Sequence, residues 1–447
     1  MSGLTLFDAF QAFLHGAAEA GIAFAQIRHR DVTEEIALSP GDYDFFVDEK
    51  DIEAFLAHLH KRAAANCLPL LICRQKREKA KVTLFSRDGA DSILMDLWIR
   101  LEVKDPKRRS RRHIMARDIV PHLEVRDGVM YLAPRIEALF YISHLFTKSK
   151  DLRAVQVRER LGHYAQTMVD QPDIRDLFDR LIQGGELESA AAEANGRLVC
   201  MGILRPRLSG PHAGKDLATY LGDRLYKLRR KLVAKRKFIA VVGPDGVGKT
   251  TLIQAACSCL AKGGRDFRFK KLYRHATLYK LLFPGLRRKY NRAAGMALEK
   301  NQIDDKAGSF IFWMAWYRYF LLALLRLRKP LTLVDRYYFE LLIQDLRFQE
   351  KLPTLRPRWR SMLNRVPMPR MVLHLDAPNE VIASRNEELR SEGVDAYRTQ
   401  MFAMAQKRGV PFYLYLNTSN SVEQCKATFR KALCELKIPI TPPGDPE

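Results

Sequence analysis

One stretch constrains this chain more than any other: Phe238-Ile-Ala-Val-Val-Gly-Pro-Asp-Gly-Val-Gly-Lys-Thr-Thr-Leu252. Phe238 to Val242 are apolar and partly β-branched, and read as a buried strand. Gly243-Pro244-Asp245-Gly246-Val247-Gly248-Lys249-Thr250 then matches G-x-x-x-x-G-K-[ST], and Leu252, Ile253, Ala256 and Leu260 share one face of the helix that follows. Only in such a strand–loop–helix context does the motif have physical meaning. The loop's N–H groups curl around phosphate oxygens, and the helix N-terminus adds its dipole. The motif therefore predicts that Gly243 to Thr251 bind a nucleoside triphosphate, with Lys249 on the β- and γ-phosphates and the Thr250 hydroxyl on Mg²⁺.

A chain of 447 residues has room for two to three domains. Its 75 Lys and Arg against 51 Asp and Glu leave a net charge of +24. Such a balance favours anionic partners: nucleotides, phosphorylated glycans, nucleic acid or an anionic membrane face. The cysteine count, 7, is odd, and no C-x-x-C occurs, so the thiols are expected to be reduced and buried and the chain cytoplasmic. The N-terminus lacks the basic segment of a secretory signal. Phe310 to Leu325 is strongly apolar, but Arg318 divides it into runs shorter than the ~20 residues of a membrane span. It reads as a core helix.

Beyond the loop, strands alternate with helices. Leu331-Thr-Leu-Val-Asp335 leads into Arg336-Tyr337, Met371-Val-Leu-His-Leu-Asp376 into Ala377-Pro-Asn-Glu380, and Phe412-Tyr-Leu-Tyr-Leu416 into Asn417-Thr-Ser-Asn-Ser421. A shorter basic strand is expected over Phe267 to Tyr273. This alternation predicts an α/β domain, a parallel sheet with helices on both faces, and places function at the strands' carboxyl ends. Residues 236–438 resemble the thymidylate kinase family. The resemblance rests on the loop with Asp245 at its tip, on Asp335-Arg336-Tyr337, on Leu375-Asp376, and on Arg385 and Arg390 at the start of a lid. Asn417-Thr-Ser-Asn-Ser421 is similar to the loop beside the adenine. The run from Asp335 to Phe348 is closer to thymidylate-kinase-like proteins encoded with bacterial surface-polysaccharide genes. One departure concerns the acceptor site: Arg274-His-Ala-Thr-Leu-Tyr-Lys280 stands where the family carries Arg-Glu-Pro-Gly-Gly. His275 and His374 are read as structural.

The front of the chain carries a second pattern. An amphipathic helix is expected within residues 1–26, followed by a strand at Asp42-Tyr-Asp-Phe-Phe-Val47. Asp42 and Asp44 then share a strand face by the two-residue period. Asp96 lies inside an apolar strand, Ile93-Leu-Met-Asp-Leu-Trp-Ile99, and must face a metal, a cation or water. Residues 22–100 resemble the minimal nucleotidyltransferase fold, with D-x-D and a third acid on a later strand. Gln26 to Asp31 stands in place of that family's Gly-Ser turn. The resemblance implies a metal set of Asp42, Asp44 and Asp96.

The expected division is 1–125, an α+β nucleotidyltransferase-like domain; 126–235, a helical connecting domain; 236–440, the loop-containing kinase-like domain; and 441–447, a disordered tail. Lys104 to His113 reads as a solvated basic loop, and residues 209–214 as a linker. The last connecting helix carries Leu217, Leu221, Leu225, Leu228 and Leu232 among basic residues. Its leucines are expected to dock between domains; the alternative lays the helix on the inner face of an anionic membrane.

The chain thus reads as an ATP-dependent kinase using Mg²⁺. Lys249 would act on the phosphates, Arg336 would orient the acceptor or the transferring group, Thr250 and Asp335 would hold the metal, Asp245 would contact the acceptor, and Arg385 or Arg390 would close as a lid. The acceptor would be a nucleoside monophosphate or a sugar- or glycan-linked substrate, in surface polysaccharide biosynthesis. Two alternatives stand beside this: a nucleotide-gated binding module for nucleic acid or an anionic membrane, although no nucleic-acid motif is present, and nucleotidyl transfer by the front domain. A homodimer is a possible assembly.

Overall fold

The computed structural model describes residues 5–27, 43–74, 78–106, 111–126, 129–204, 213–236, 238–244, 246–260, 265–268, 331–337, 368–385, 391–438 and 440. The front of the chain forms α1 (Leu6–Glu19), β1 (Phe24–Gln26), β2 (Tyr43–Val47), α2 (Ile52–Ala65), β3 (Leu70–Cys73), β4 (Lys79–Phe85), β5 (Ser92–Trp98), β6 (Arg100–Lys104), β7 (Arg111–Met115), α3 (Ala116–Ile119), β8 (Leu123–Arg126) and β9 (Val129–Leu132). Helices α4 (Pro134–Thr147), α5 (Val155–Thr167), α6 (Pro172–Ile182), α7 (Leu187–Cys200) and α8 (Ala213–Ala234) follow. The remainder is β10 (Phe238–Val242), α9 (Lys249–Cys257), β11 (Arg265–Arg268), β12 (Thr332–Asp335), β13 (Met371–Asp376), α10 (Asn379–Arg385), α11 (Ser391–Arg408), β14 (Phe412–Asn417) and α12 (Val422–Glu435).

These elements fall into two compact units. The first comprises Met1–His58, Lys76–Val82 and Ile93–Lys227; the second comprises Leu59–Gln75, Thr83–Ser92 and Leu228–Glu447. Non-local strand pairing brings residues from the front of the chain into the second unit. β3, from the front of the chain, runs antiparallel to β14, with Leu71 opposite Leu414 and Leu70 opposite Tyr415. Leu70 to Cys73 is a run of four apolar residues after Pro69, which fits a buried helix segment as well as a strand, so periodicity alone does not mark it.

In the second unit the strand order is β11-β12-β10-β13-β14-β3, and the first five are mutually parallel. Alternate residues serve opposite faces, as the two-residue period requires. Ile239, Val241, Leu373, Leu375, Leu414 and Leu416 are fully buried in one core with Leu252 and Ile253 of α9 and Phe429 and Leu433 of α12. Each such side chain contributes roughly 1.5–3 kcal/mol by leaving water. His374, Tyr413 and Tyr415 point to the other face, where their rings meet Tyr397 and Phe402 of α11 and His60 of α2. Helices therefore cover both faces, as the strand–helix alternation predicts.

In the first unit β5 and β2 are parallel neighbours, β1 joins β2 antiparallel, and β9 and β8 complete the order. Residues 24–26, expected to end the first helix, form β1 instead; the helix stops at Glu19, and Gly21 takes a left-handed conformation, φ 69°. A capping box between Thr5 and Asp8 starts that helix. Lys104 and Arg111 to His113, the two ends of the basic segment expected as a loop, lie on the paired strands β6 and β7, and residues 107–110 lie outside the described residues. Arg112 pairs with Asp105 at 2.6 Å. α4 to α7 pack through Leu139, Ile142, Leu161, Leu177, Phe178 and Leu198.

All seven cysteines are free, but only Cys259 and Cys425 are buried, so the expectation of buried thiols fails for the other five. No helix among the described residues is long and apolar enough to cross a membrane, and the apolar run Phe310 to Leu325 lies outside the described residues. Leu221, Leu225, Leu228 and Leu232 of α8 are exposed, Leu225 at 67%; the side chain of Leu217 lies outside the described residues.

Because β3 covers an edge of β14, a fragment beginning at Arg236 should leave that strand unpaired. We expect it to lose the full chain's cooperative melting transition or to aggregate, measured by circular dichroism and size exclusion. A monomeric fragment that melts cooperatively at the full chain's temperature would show β3 to be dispensable.

Candidate functional site

The glycine-rich loop leaves β10 at the centre of the parallel sheet. Gly243 sits so close to β13 that a Cβ added to it would meet the Leu375 carbonyl at 2.3 Å. Only glycine permits this approach. Gly248, at φ 82°, is left-handed and serves as the N-cap of α9. It turns the chain so that the first backbone N–H groups of α9 open toward the loop. Val247 is fully buried and anchors the loop from below.

The Lys249 side chain is buried, and its ammonium donates to the Gly243 carbonyl at 2.5 Å and the Pro244 carbonyl at 2.8 Å. The lysine is thus held inside its own loop, beside the helix N-terminus. Thr250 and Thr251 are exposed on the first turn of α9.

Register carries Asp335 to this site: on β12 it lies opposite Val241 of β10, two residues before the loop begins. Arg336 follows with φ 65°, a left-handed conformation that a residue with a Cβ adopts at a cost of about 1–2 kcal/mol. Its N–H donates to the Val241 carbonyl at 2.8 Å, so the ladder continues through the bend. From the opposite side Arg385, at the end of α10, donates to the Gly246 carbonyl at 3.4 Å. Asp245 and Arg390 lie outside the described residues.

Beneath the loop, the carboxyl end of β13 carries a buried polar network. Asp376 is 1% exposed, and its Oδ2 accepts from Arg398 Nε at 2.5 Å and the Tyr415 hydroxyl at 2.8 Å. The same guanidinium donates to the Ala377 carbonyl, Asn379 and Asp395. Burial opposes the arginine's charge, but its hydrogen bond and attraction to Asp376 outweigh this and hold the group above its usual range. Arg398 thereby ties α11 to the end of β13 and the start of α10. Sequence reasoning did not single it out. It stands in Val394-Asp-Ala-Tyr-Arg-Thr-Gln400, and a lone arginine on a polar helix carries no signal of burial.

His374, two residues earlier, is fully buried, as is His60. The Tyr413 hydroxyl lies 2.5 Å from His374 Nδ1 and 3.1 Å from His60 Nε2. One hydroxyl proton cannot serve both, so it donates to one neutral imidazole and accepts from the other. Burial drives both imidazoles down to about 3, helped for His60 by neighbouring His374 and for His374 by Arg398 and Lys249. His374 is thus a neutral structural group. At the end of β14, Asn417 is also buried, and its Oδ1 accepts from the Ser419 N–H and hydroxyl at 2.9 and 2.6 Å. It shapes the loop expected beside the nucleotide.

In the first unit Asp44 and Asp96 are register partners on parallel neighbours β2 and β5, so they leave the same sheet face. Trp98 Nε1 donates to Asp44 at 2.8 Å, and Lys79 pairs with Asp96. The lysine supplies the cation that the buried carboxylate demands. Asp42 lies outside the described residues, and among the described residues no three His, Cys, Asp or Glu side chains form a metal-binding group. A cavity of about 30 Å³ adjoins Asp44, Trp98, Glu137 and Tyr164. There the Tyr164 hydroxyl donates to Glu137 at 2.5 Å.

No family model and no curated protein matches this chain. Among solved structures, thymidylate kinase from Candida albicans is similar over 46% of this chain and 97% of its own, at 16% identity and a TM-score of 0.32. A candidate nucleotidyltransferase from H. pylori is similar over 44% of this chain and 93% of its own, at 14% identity and a TM-score of 0.21.

Two outcomes follow from this geometry. Gly243→Ala should force the loop off the Leu375 carbonyl and lower the melting temperature, by calorimetry. An unchanged melting temperature would mean that the close approach is immaterial. The buried imidazoles also set a pH dependence. Their folded values lie below the unfolded value of 6.5, so the unfolded chain gains protons that the native state refuses. Their stabilisation is complete above pH 6.5 and is lost toward pH 3, at about 1.4 kcal/mol per unit for each histidine. Urea titrations between pH 7 and 5 should show this slope, and His60→Gln should reduce it by about half.

Proposed function

We propose that the second unit is an ATP-dependent phosphotransferase of the thymidylate kinase type. One observation carries the reading: a glycine-rich loop, jammed against β13 and closed around Lys249, opens onto a helix N-terminus at the carboxyl end of a central parallel strand. Backbone N–H groups, a helix dipole and a preplaced ammonium all favour an anion at that point.

In this reading the loop from Gly243 to Thr251 cradles the phosphates and Lys249 exchanges its carbonyl partners for the β- and γ-phosphates. Thr250 and Asp335 would hold Mg²⁺, which neutralises charge on the phosphates when bound. The exposed Thr250 hydroxyl beside the loop and the Asp335 carboxylate at the end of the adjoining strand are oxygen donors of the type this ion takes. Arg336 orients the acceptor or the transferring group, and Asp245 meets the acceptor. Arg385, already against Gly246, closes over the phosphates with Arg390. Phosphoryl transfer needs little beyond such positioning and charge stabilisation.

The acceptor we propose is a nucleoside monophosphate or a sugar- or glycan-linked substrate, in surface polysaccharide synthesis. Nucleotidyl transfer by the first unit has less support, because Asp96 already has Lys79 as its counter-ion.

The deciding experiment is transfer from γ-labelled ATP to nucleoside monophosphates, sugars, sugar phosphates and lipopolysaccharide fragments. The wild type should label one class with Mg²⁺ present. Lys249→Ala should reduce labelling by on the order of 10²–10³. Because Lys249 is buried, the variant's melting temperature must be read alongside, and loss of transfer in a folded variant is the supporting result. Bound ATP with no labelled acceptor would favour the nucleotide-gated binding module instead.

A further inference from the structure

α8 is amphipathic in a sense opposite to what its own packing requires. At ~100° per residue, Leu221, Leu225, Leu228 and Leu232 fall within an arc of about 60°. They are 50%, 67%, 55% and 59% exposed. The opposite side of the helix carries Arg230 and Val233, each 6% exposed. There the Arg230 guanidinium lies so close to Gly409 that an added Cβ would meet it at 2.7 Å. The helix therefore turns an arginine inward and four leucines outward. The expectation that these leucines dock between domains does not hold.

What flanks the stripe narrows its occupant. Arg224, Lys227, Lys231 and Lys235 run along one side and Arg229 along the other, all exposed. No Asp or Glu occurs between Arg224 and Arg236. A second copy zipped through the leucines would set basic flank against basic flank with no acid to pair. Nucleic acid would take the charges and leave the leucines wet. An anionic bilayer serves both rows together, with leucines at the acyl boundary and ammonium and guanidinium groups among the headgroup phosphates.

We propose that α8 is a docking surface for an anionic lipid bilayer, on which it lies parallel to the membrane plane. Nothing in this depends on the phosphotransfer reading. It would bring whatever chemistry the chain performs to the membrane surface.

Flotation of the full chain with vesicles tests it. The chain should float with phosphatidylcholine vesicles containing about 30% phosphatidylglycerol, should not float with phosphatidylcholine alone, and should release as salt is raised. Leu225→Ser with Leu228→Ser should weaken binding by on the order of tenfold, while leaving the melting temperature without vesicles unchanged. Lys227→Glu with Lys231→Glu should abolish the preference for anionic vesicles. Three results would overturn the proposal. Leucine variants that float like the wild type would leave only non-specific charge attraction. Variants that melt earlier without lipid would show the stripe to be covered by the chain itself. A wild-type dimer that becomes monomeric in the leucine variants, with no vesicle binding, would make the occupant a second copy.

Discussion

Much of the second unit depends on one buried carboxylate. Asp376 closes β13 at 1% exposure, where an uncompensated charge would cost several kcal/mol. The compensation comes from Arg398 and Tyr415, which both reach its Oδ2. Arg398 in turn uses its remaining donors on Ala377, Asn379 and Asp395, and so fixes the path of the chain on leaving β13. The Asp376 carbonyl accepts from Thr418 N–H and hydroxyl, which fixes the chain leaving β14. Two neighbouring strand ends thus take their exits from one residue. Since the Leu375 carbonyl also limits Gly243, the loop, α10 and α11 share a common support. Breaking such a pair from one side is far worse than never having it, so the network specifies this arrangement even where its net stabilisation is small.

What the sequence made legible follows from how local each signal is. The glycine-rich loop, the strands at Phe238, Met371 and Phe412 and the amphipathic α6 depend on periods and turn residues within a dozen positions, and the structure places them where those patterns point. The position of Asp335 opposite Val241 follows from strand alternation. What escaped depends on distant partners. β3 becomes a strand because β14, more than three hundred residues later, offers an edge to it. Lys79 gains meaning only beside Asp96, and Arg398 only beside Asp376. The leucines of α8 were legible as a stripe, but whether a stripe faces core or solvent is decided by what else can be buried. Here Arg230 and Val233 took the inner side.

The loop itself shows how a buried lysine can be held beside a helix N-terminus. An open helix N-terminus and a lysine ammonium placed together would repel, and the lysine's burial would add to the cost. Donation to the Gly243 and Pro244 carbonyls answers both problems, since it draws the positive charge onto the loop's own dipoles. These are neutral acceptors. The strained backbone of Arg336 belongs to the same economy of placement. Its left-handed bend is held by the Val241 carbonyl, one strand away, and sets the guanidinium-bearing residue directly after Asp335. A conformation costing about 1–2 kcal/mol persists only where its surroundings enforce it. Here the enforcing partner is the strand that also launches the loop. The geometry of Arg336 and that of the glycine-rich loop are therefore fixed by the same few residues of β10.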